Sequence, residues 1–78
     1  MRFTVQVLDD DGDAVVGKRV HVSFTGLLRG WLEEFTDDDG QAVFDYENVE
    51  PGEAAIFVND EKFGPYDISD GDGLTVNI

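Results

Sequence analysis

Carboxylates are the side chains of this 78-residue chain with the most potential for chemistry. The chain has 18 acidic and 5 basic side chains, so its formal net charge is −13. Acidic runs supply oxygen ligands for a hard cation such as Ca²⁺, which takes roughly six to eight of them. The candidate calcium ligands are Asp9, Asp11, Asp13, Asp37, Asp39 and Asp60.

The spacing of these acids does not match an EF-hand loop. None of the acidic-turn glycines is followed, six positions later, by the Glu that such a loop requires. Those positions hold Lys18, Tyr46 and Asn77. A calcium site would therefore have to be built from several loops, and the alternative is that the acids are simply solvated.

Few other side chains have the reactivity that an enzyme needs. His21 is the only histidine, Ser23 and Ser69 are the only serines, and there is no cysteine. His21 and Ser23 share one face of a predicted strand, but an open sheet face offers neither an oxyanion hole nor exclusion of water. Glu33 and Glu34 point to opposite faces and cannot by themselves form a glycosidase pair. We expect no catalysis, and we expect His21 to be an exposed surface residue.

Strands must position these side chains, because apolar and polar residues alternate along most of the chain. Val20, Val22 and Phe24, for example, alternate with His21 and Ser23. Turn-forming residues separate the alternating segments. The predicted strands cover residues 2–8, 19–25, 31–36, 42–46, 54–58, 63–68 and 74–78. Seven short strands predict one all-β domain over residues 1–78, an immunoglobulin-like or prealbumin-like antiparallel sandwich. If each loop reverses the chain, the three acidic runs lie at one end of it.

Leucines in a predicted turn, followed by a tryptophan, form a candidate contact surface. Exposed leucines are unfavourable, so Leu27 and Leu28 either fold over the core or form a patch with Trp31 that binds a protein partner or a second copy. We expect the patch. A different possibility is that aromatic rings stack on sugars, although in so small a sandwich we expect aromatic residues in the core. The aromatic residues considered are Trp31, Phe35, Tyr46 and Tyr66.

The charge and the hydropathy pattern exclude several classes of function. A strongly acidic surface repels phosphates, so we expect no binding to nucleic acid. No apolar run reaches the ~20 residues of a membrane span, and the N-terminal segment lacks the apolar core of a signal peptide, so we expect a cytoplasmic protein. Twelve of the acids are aspartates and only two residues are lysines, which indicates a halophilic source, because molar salt screens such repulsion.

Residues 11–58 resemble a known superfamily. Asp11-Gly12, Val15, Gly17 and Val20 match the pattern DG-x-x-[LV]-x-G-x-x-V. Thr36-Asp37, Gly40, Phe44, Val49 and Pro51-Gly52 match TD-x-x-G-x-x-x-F followed by [LV]-x-PG. Together these residues resemble the prealbumin-like, or transthyretin-like, sandwiches, which include carboxypeptidase regulatory-like domains and the Cna-B-type repeats of surface proteins.

The resemblance implies a β-sandwich, and two departures limit what else it implies. Ala54 occupies a position where members of the family often have Tyr, and the first strand lacks the Lys of self-cross-linking Cna-B domains. We therefore expect a non-catalytic structural or protein-interaction module. The alternative is a calcium-dependent or carbohydrate-binding module.

Overall fold

The computed structural model describes residues 1–25 and 31–78, and these residues form an all-β sandwich of seven strands in two sheets. The strands are β1 (Arg2–Leu8), β2 (Arg19–Phe24), β3 (Leu32–Phe35), β4 (Gln41–Asp45), β5 (Gly52–Val58), β6 (Glu61–Ile68) and β7 (Gly73–Asn77). Each predicted segment overlaps one of them, and β4, β5, β6 and β7 begin one or two residues earlier than predicted, so the predicted fold class is confirmed. No helix within the described residues is long and apolar enough to cross a membrane.

The two sheets have the strand orders β4-β1-β7 and β3-β2-β5-β6. All neighbouring strands are antiparallel except β1 and β7, which are parallel, so the expectation of a purely antiparallel sandwich is corrected at this pair. Each connection reverses the chain, and all odd-numbered strands consequently run in the same direction. The turns that follow β1, β3 and β5, which carry the acidic runs, therefore lie at one end of the sandwich, as predicted.

The core lies between the sheets and contains the inward-facing residue of each alternating pair. Phe3 and Phe44 are stacked near its centre, with ring centroids 4.9 Å apart and an angle of 4° between the ring planes. Burial of these apolar side chains is the main stabilising contribution in such a small sandwich. The buried apolar residues are Phe3, Val5, Val7, Val20, Val22, Phe24, Leu32, Ala42, Phe44, Ala54, Ile56, Val58, Ile68 and Val76.

A two-residue turn joins β5 to β6 and sets the position of an acidic side chain. Asn59 and Asp60 both have positive φ, 54° and 63°, as the central residues of a type I′ hairpin turn do. This turn type matches the right-handed twist of the flanking strands. It brings the carboxylate of Asp60 close to the solvent side of the four-stranded sheet.

Candidate binding face on the four-stranded sheet

One side of the four-stranded sheet covers the core, and the other side, the outer face, points to solvent. In β2, buried Val20 and Val22 alternate with the outward-facing residues of the same strand. The registers place Glu33, His21, Phe57 and Lys62 next to one another across the four strands. The alternation and registers assign to the outer face Arg19, His21, Ser23, Trp31, Glu33, Phe35, Glu53, Ala55, Phe57, Lys62 and Asp67.

A stacked pair of rings lies on the outer face. The rings of His21 and Trp31 have centroids 5.2 Å apart and an angle of 18° between their planes. Nε2 of His21 lies 2.8 Å from Oε2 of Glu33, the residue directly opposite on β3. The side chain of His21 is only 19% exposed, so the expectation of a freely exposed histidine was wrong. Its packing against Trp31 and its contact with Glu33 explain the difference.

The imidazole therefore supports the indole. Trp31 stacks on His21 on one side and yet remains 59% exposed, so much of the indole outside this stack reaches solvent. Glu33 restricts rotation of the imidazole through the 2.8 Å contact. The three side chains together hold an aromatic surface at a defined orientation.

An open depression of about 450 Å³ lies beside this aromatic surface. Among the described residues, its lining consists of His21, Ser23, Trp31, Phe57 and Asp60. The lining thus combines aromatic walls with one hydroxyl group and one carboxylate. Its volume is within the range of small-molecule sites, roughly 300–1,000 Å³.

Trp31 and Phe35 are exposed, so the expectation of a core position was wrong for both rings. For Trp31, exposure agrees with the other expectation, a contact patch with Leu27 and Leu28. Each of the two aromatic residues is 59% exposed, and the register places Phe35 opposite Arg19 on the outer face. Buried Leu32 shows why: residues 31, 33 and 35 alternate with it and must point the other way. The sequence showed that Trp31 and Phe35 share one side of the strand and Leu32 lies on the other, but only the packing of the two sheets decides which side meets the core.

The other two aromatic candidates pack against the core, as expected for them. Tyr46 and Tyr66 are half-buried. The hydroxyl of Tyr46 donates a 2.7 Å hydrogen bond to Oε2 of Glu34, and this hydrogen bond, together with burial and the nearby negative charges, raises the pKa of Tyr46 to about 12. Glu33 contacts His21 while Glu34 contacts Tyr46, so these neighbours point to opposite faces, as predicted.

The first acidic turn brings together half of the predicted calcium ligands. Carboxylate oxygens of Asp9, Asp11 and Asp13 all lie within 4.8 Å of one another. Oδ1 of Asp9 also accepts hydrogen bonds from the backbone N–H groups of Asp11 and Asp13, each 2.9 Å long. Aspartates commonly stabilise turns in this way, so the local structure accounts for Asp9 without a cation.

The second acidic turn has the same hydrogen-bonding pattern. Oδ1 of Asp37 accepts hydrogen bonds from the N–H groups of Asp39 at 2.9 Å and Gln41 at 3.0 Å. In the part of the chain that the structure describes, Asp37, Asp39 and Asp60 do not belong to the carboxylate group of the first turn. The proposed multi-loop calcium site stays a prediction.

The predicted contact patch is described only in part. Leu27 and Leu28 lie outside the described residues, and Trp31 is exposed. The depression next to Trp31 was not anticipated, because Ser23, Phe57 and Asp60 come from different parts of the chain. The register between β2 and β5 brings them together.

These features define a small all-β sandwich with one solvent-facing aromatic surface. No protein-family model and no curated protein sequence matches the chain. Its structure is similar to part of the Bacillus anthracis TIE protein, with a TM-score of 0.67 and 14% sequence identity. The similarity covers 99% of this chain and 15% of that chain. At this identity the similarity establishes the fold alone.

Proposed function

We propose that this chain is a non-catalytic structural or protein-interaction module that contacts its partner through the outer face. The observation that carries the proposal is the exposure of Trp31 and Phe35, each 59%, on the same side of one sheet. Exposed clusters of large apolar side chains typically mark interaction sites in soluble proteins. Val16, at 58%, is also exposed, but it lies in a turn outside this face.

The distribution of charge supports the same face. Two of the five basic residues, Arg19 and Lys62, lie on it, together with the carboxylates of Glu33, Glu53 and Asp67. With Asp60, which lines the depression on this side, the outer face has two positive and four negative charges, a net charge of −2 out of the chain's −13. Another molecule approaches here with less repulsion than at the acidic turns, since surface potential follows the local charge.

The surroundings of His21 favour binding over catalysis. Within the described residues, its Nε2 contacts Glu33, and no hydrogen bond joins the imidazole to Ser23. Nucleophilic catalysis needs a base within hydrogen-bond reach of the nucleophile, and it needs donors for the developing oxyanion. The imidazole supports Trp31 instead.

We also propose that the chain belongs with the prealbumin-like sandwiches that its motifs resemble, and that it comes from a halophile. The positions of several motif residues support this proposal. Gly12 and Gly40 have positive φ, Phe44 is fully buried, and Val49 packs against the core. The matching fold in the TIE protein is one part of a longer chain, which supports a role as a module.

The proposal is tested by asking whether the exposed aromatic residues contribute to folding. We expect the double variant Trp31→Thr/Phe35→Thr to lose no more than about 1.5 kcal/mol of unfolding free energy, because among the described residues the only aromatic contact removed is the one with His21. Phe44→Ala, in the core, should lose about 3–5 kcal/mol. Val16→Thr is the control for substitution at an exposed site. A loss in the double variant as large as in Phe44→Ala would show that the aromatic pair is structural and would remove the basis of the proposal.

A further inference from the structure

The outer face that we propose as the contact surface also contains the depression beside Trp31, which has the size of a small-molecule site. Resting on the proposal that this face makes the contact, we infer that the depression binds a pyranose ring of a neutral saccharide. Three properties of the depression carry this inference: a fixed aromatic surface, the polar groups around it, and its size and charge.

The fixed aromatic surface is the exposed part of the Trp31 indole. The C–H groups on one face of a pyranose pack against a flat aromatic ring, and the indole is the largest such ring in proteins. Stacking on His21 at 5.2 Å, and the contact of His21 with Glu33 at 2.8 Å, hold the indole in one orientation before a ligand arrives. Preorganisation of this kind lowers the entropic cost of binding.

The polar groups match the hydroxyl groups of a sugar. The hydroxyl of Ser23 both donates and accepts hydrogen bonds, and the carboxylate of Asp60 can accept from two neighbouring sugar hydroxyls. Hydrogen bonds to an ionised acceptor are the stronger kind. Phe57 supplies a second apolar wall for the less polar edge of the ring.

Size and charge favour a neutral saccharide over other ligands. A volume of about 450 Å³ suits a sugar ring or two. A net charge of −13 and the carboxylate of Asp60 in the lining disfavour acidic glycans and nucleotides. A neutral saccharide can hydrogen-bond to the polar groups of the lining without adding negative charge.

The inference is tested by nuclear magnetic resonance titration of the whole chain in molar NaCl. The probes are neutral hexasaccharides of α-1,4-glucose, β-1,4-glucose, xylose, mannose and N-acetylglucosamine, each added to about 10 mM, where weak binding becomes measurable. We expect saturable shifts at the amides of His21, Ser23, Phe57 and Asp60 with at least one probe. Fluorescence should change with the same midpoint, because Trp31 is the only tryptophan.

Variants on the same face locate the binding. Trp31→Ala should weaken the affinity by at least about tenfold, as expected for removal of a central aromatic contact. Asp60→Asn should weaken it less, since the amide keeps one acceptor oxygen. Val16→Ala is the control at an exposed apolar residue away from this face: Val16 is 58% exposed, lies in a turn, and does not line the depression. It should leave the affinity unchanged.

The outcomes separate the two proposals. The saccharide inference is overturned if no probe gives saturable shifts, or if Val16→Ala weakens binding as much as Trp31→Ala does. If the amides of the outer face instead broaden with protein concentration in the absence of sugar, the ligand is a second copy of the chain. The proposed contact function would then stand without the saccharide. The proposed contact function is refuted only if Trp31→Thr/Phe35→Thr loses as much unfolding free energy as Phe44→Ala does.

Discussion

Glycines at equivalent places in the two acidic turns offer a matched test of how the sandwich packs. Gly12 and Gly40 have φ values of 83° and 75°, in the left-handed region. A Cβ atom added at Gly12 would have nothing within 4 Å. At Gly40 it would lie 2.9 Å from the Cβ of Ala14 and 2.9 Å from the backbone oxygen of Val7. The same substitution, glycine to alanine, therefore meets open space in one turn and a packed neighbour in the other.

The expected cost follows from these two environments. An alanine in the left-handed region costs roughly 1–2 kcal/mol, and the stiffer unfolded chain offsets about 0.4–1 kcal/mol of it. Gly12→Ala should therefore cost about 1 kcal/mol. Gly40→Ala must also move the turn away from β1, where the carbonyl of Gly40 accepts a 2.8 Å hydrogen bond from the N–H of Val7. Overpacking adds about 1–3 kcal/mol, for a total of about 2–4 kcal/mol.

Thermal unfolding followed by circular dichroism in molar NaCl measures the difference. For a domain of this length, about 1 kcal/mol changes Tm by roughly 4–8 °C. We expect Tm to fall by about 5 °C in Gly12→Ala and by at least about 10 °C in Gly40→Ala. Adding Ala14→Gly to Gly40→Ala should restore part of the loss, because one of the two close contacts disappears. Equal losses in the two single variants, or no rescue, would refute the packing argument.

Two further predictions concern charge. Stability should rise steeply between about 0.1 M and 1 M monovalent salt, because the Debye length contracts from ~10 Å to ~3 Å and screens a net charge of −13; a Tm that is flat over this range would contradict the halophilic interpretation. The pKa of Tyr46 is raised from 10.0 to about 12, chiefly by its hydrogen bond to Glu34, so the folded state holds the phenol proton more tightly than the unfolded state. The resulting stabilisation is complete below about pH 10 and is lost as the pH rises towards 12. Glu34→Gln should bring the pKa back towards 10 in an ultraviolet absorbance titration, and an unchanged midpoint would count against the assigned cause.

Local patterns in the sequence were sufficient to predict the strands and turns. The alternation of Val20, Val22 and Phe24 with polar residues requires only that one side of the strand be buried. The period is two because successive side chains of any strand point to opposite sides. The turn glycines are equally local: Gly12 and Gly40 follow aspartates in the same short pattern, and both adopt the positive φ that this pattern predicts. Because each turn was expected to reverse the chain, the order of the turns also predicted that the acidic turns lie at one end of the sandwich.

Neighbour relations between strands were decided only by the tertiary structure. Alternation assigns each residue to a side of its own strand, but it does not say which strand lies next to it or which side meets the second sheet. The parallel pairing of β1 with β7, and the contact of His21 with Glu33, depend on that arrangement. Trp31, Ser23 and Asp60 come from separate segments and share a depression only because β2, β3 and β5 are adjacent in the sheet. Such contacts join residues that are far apart in the chain, and they form only when the strands of the whole fold pack together.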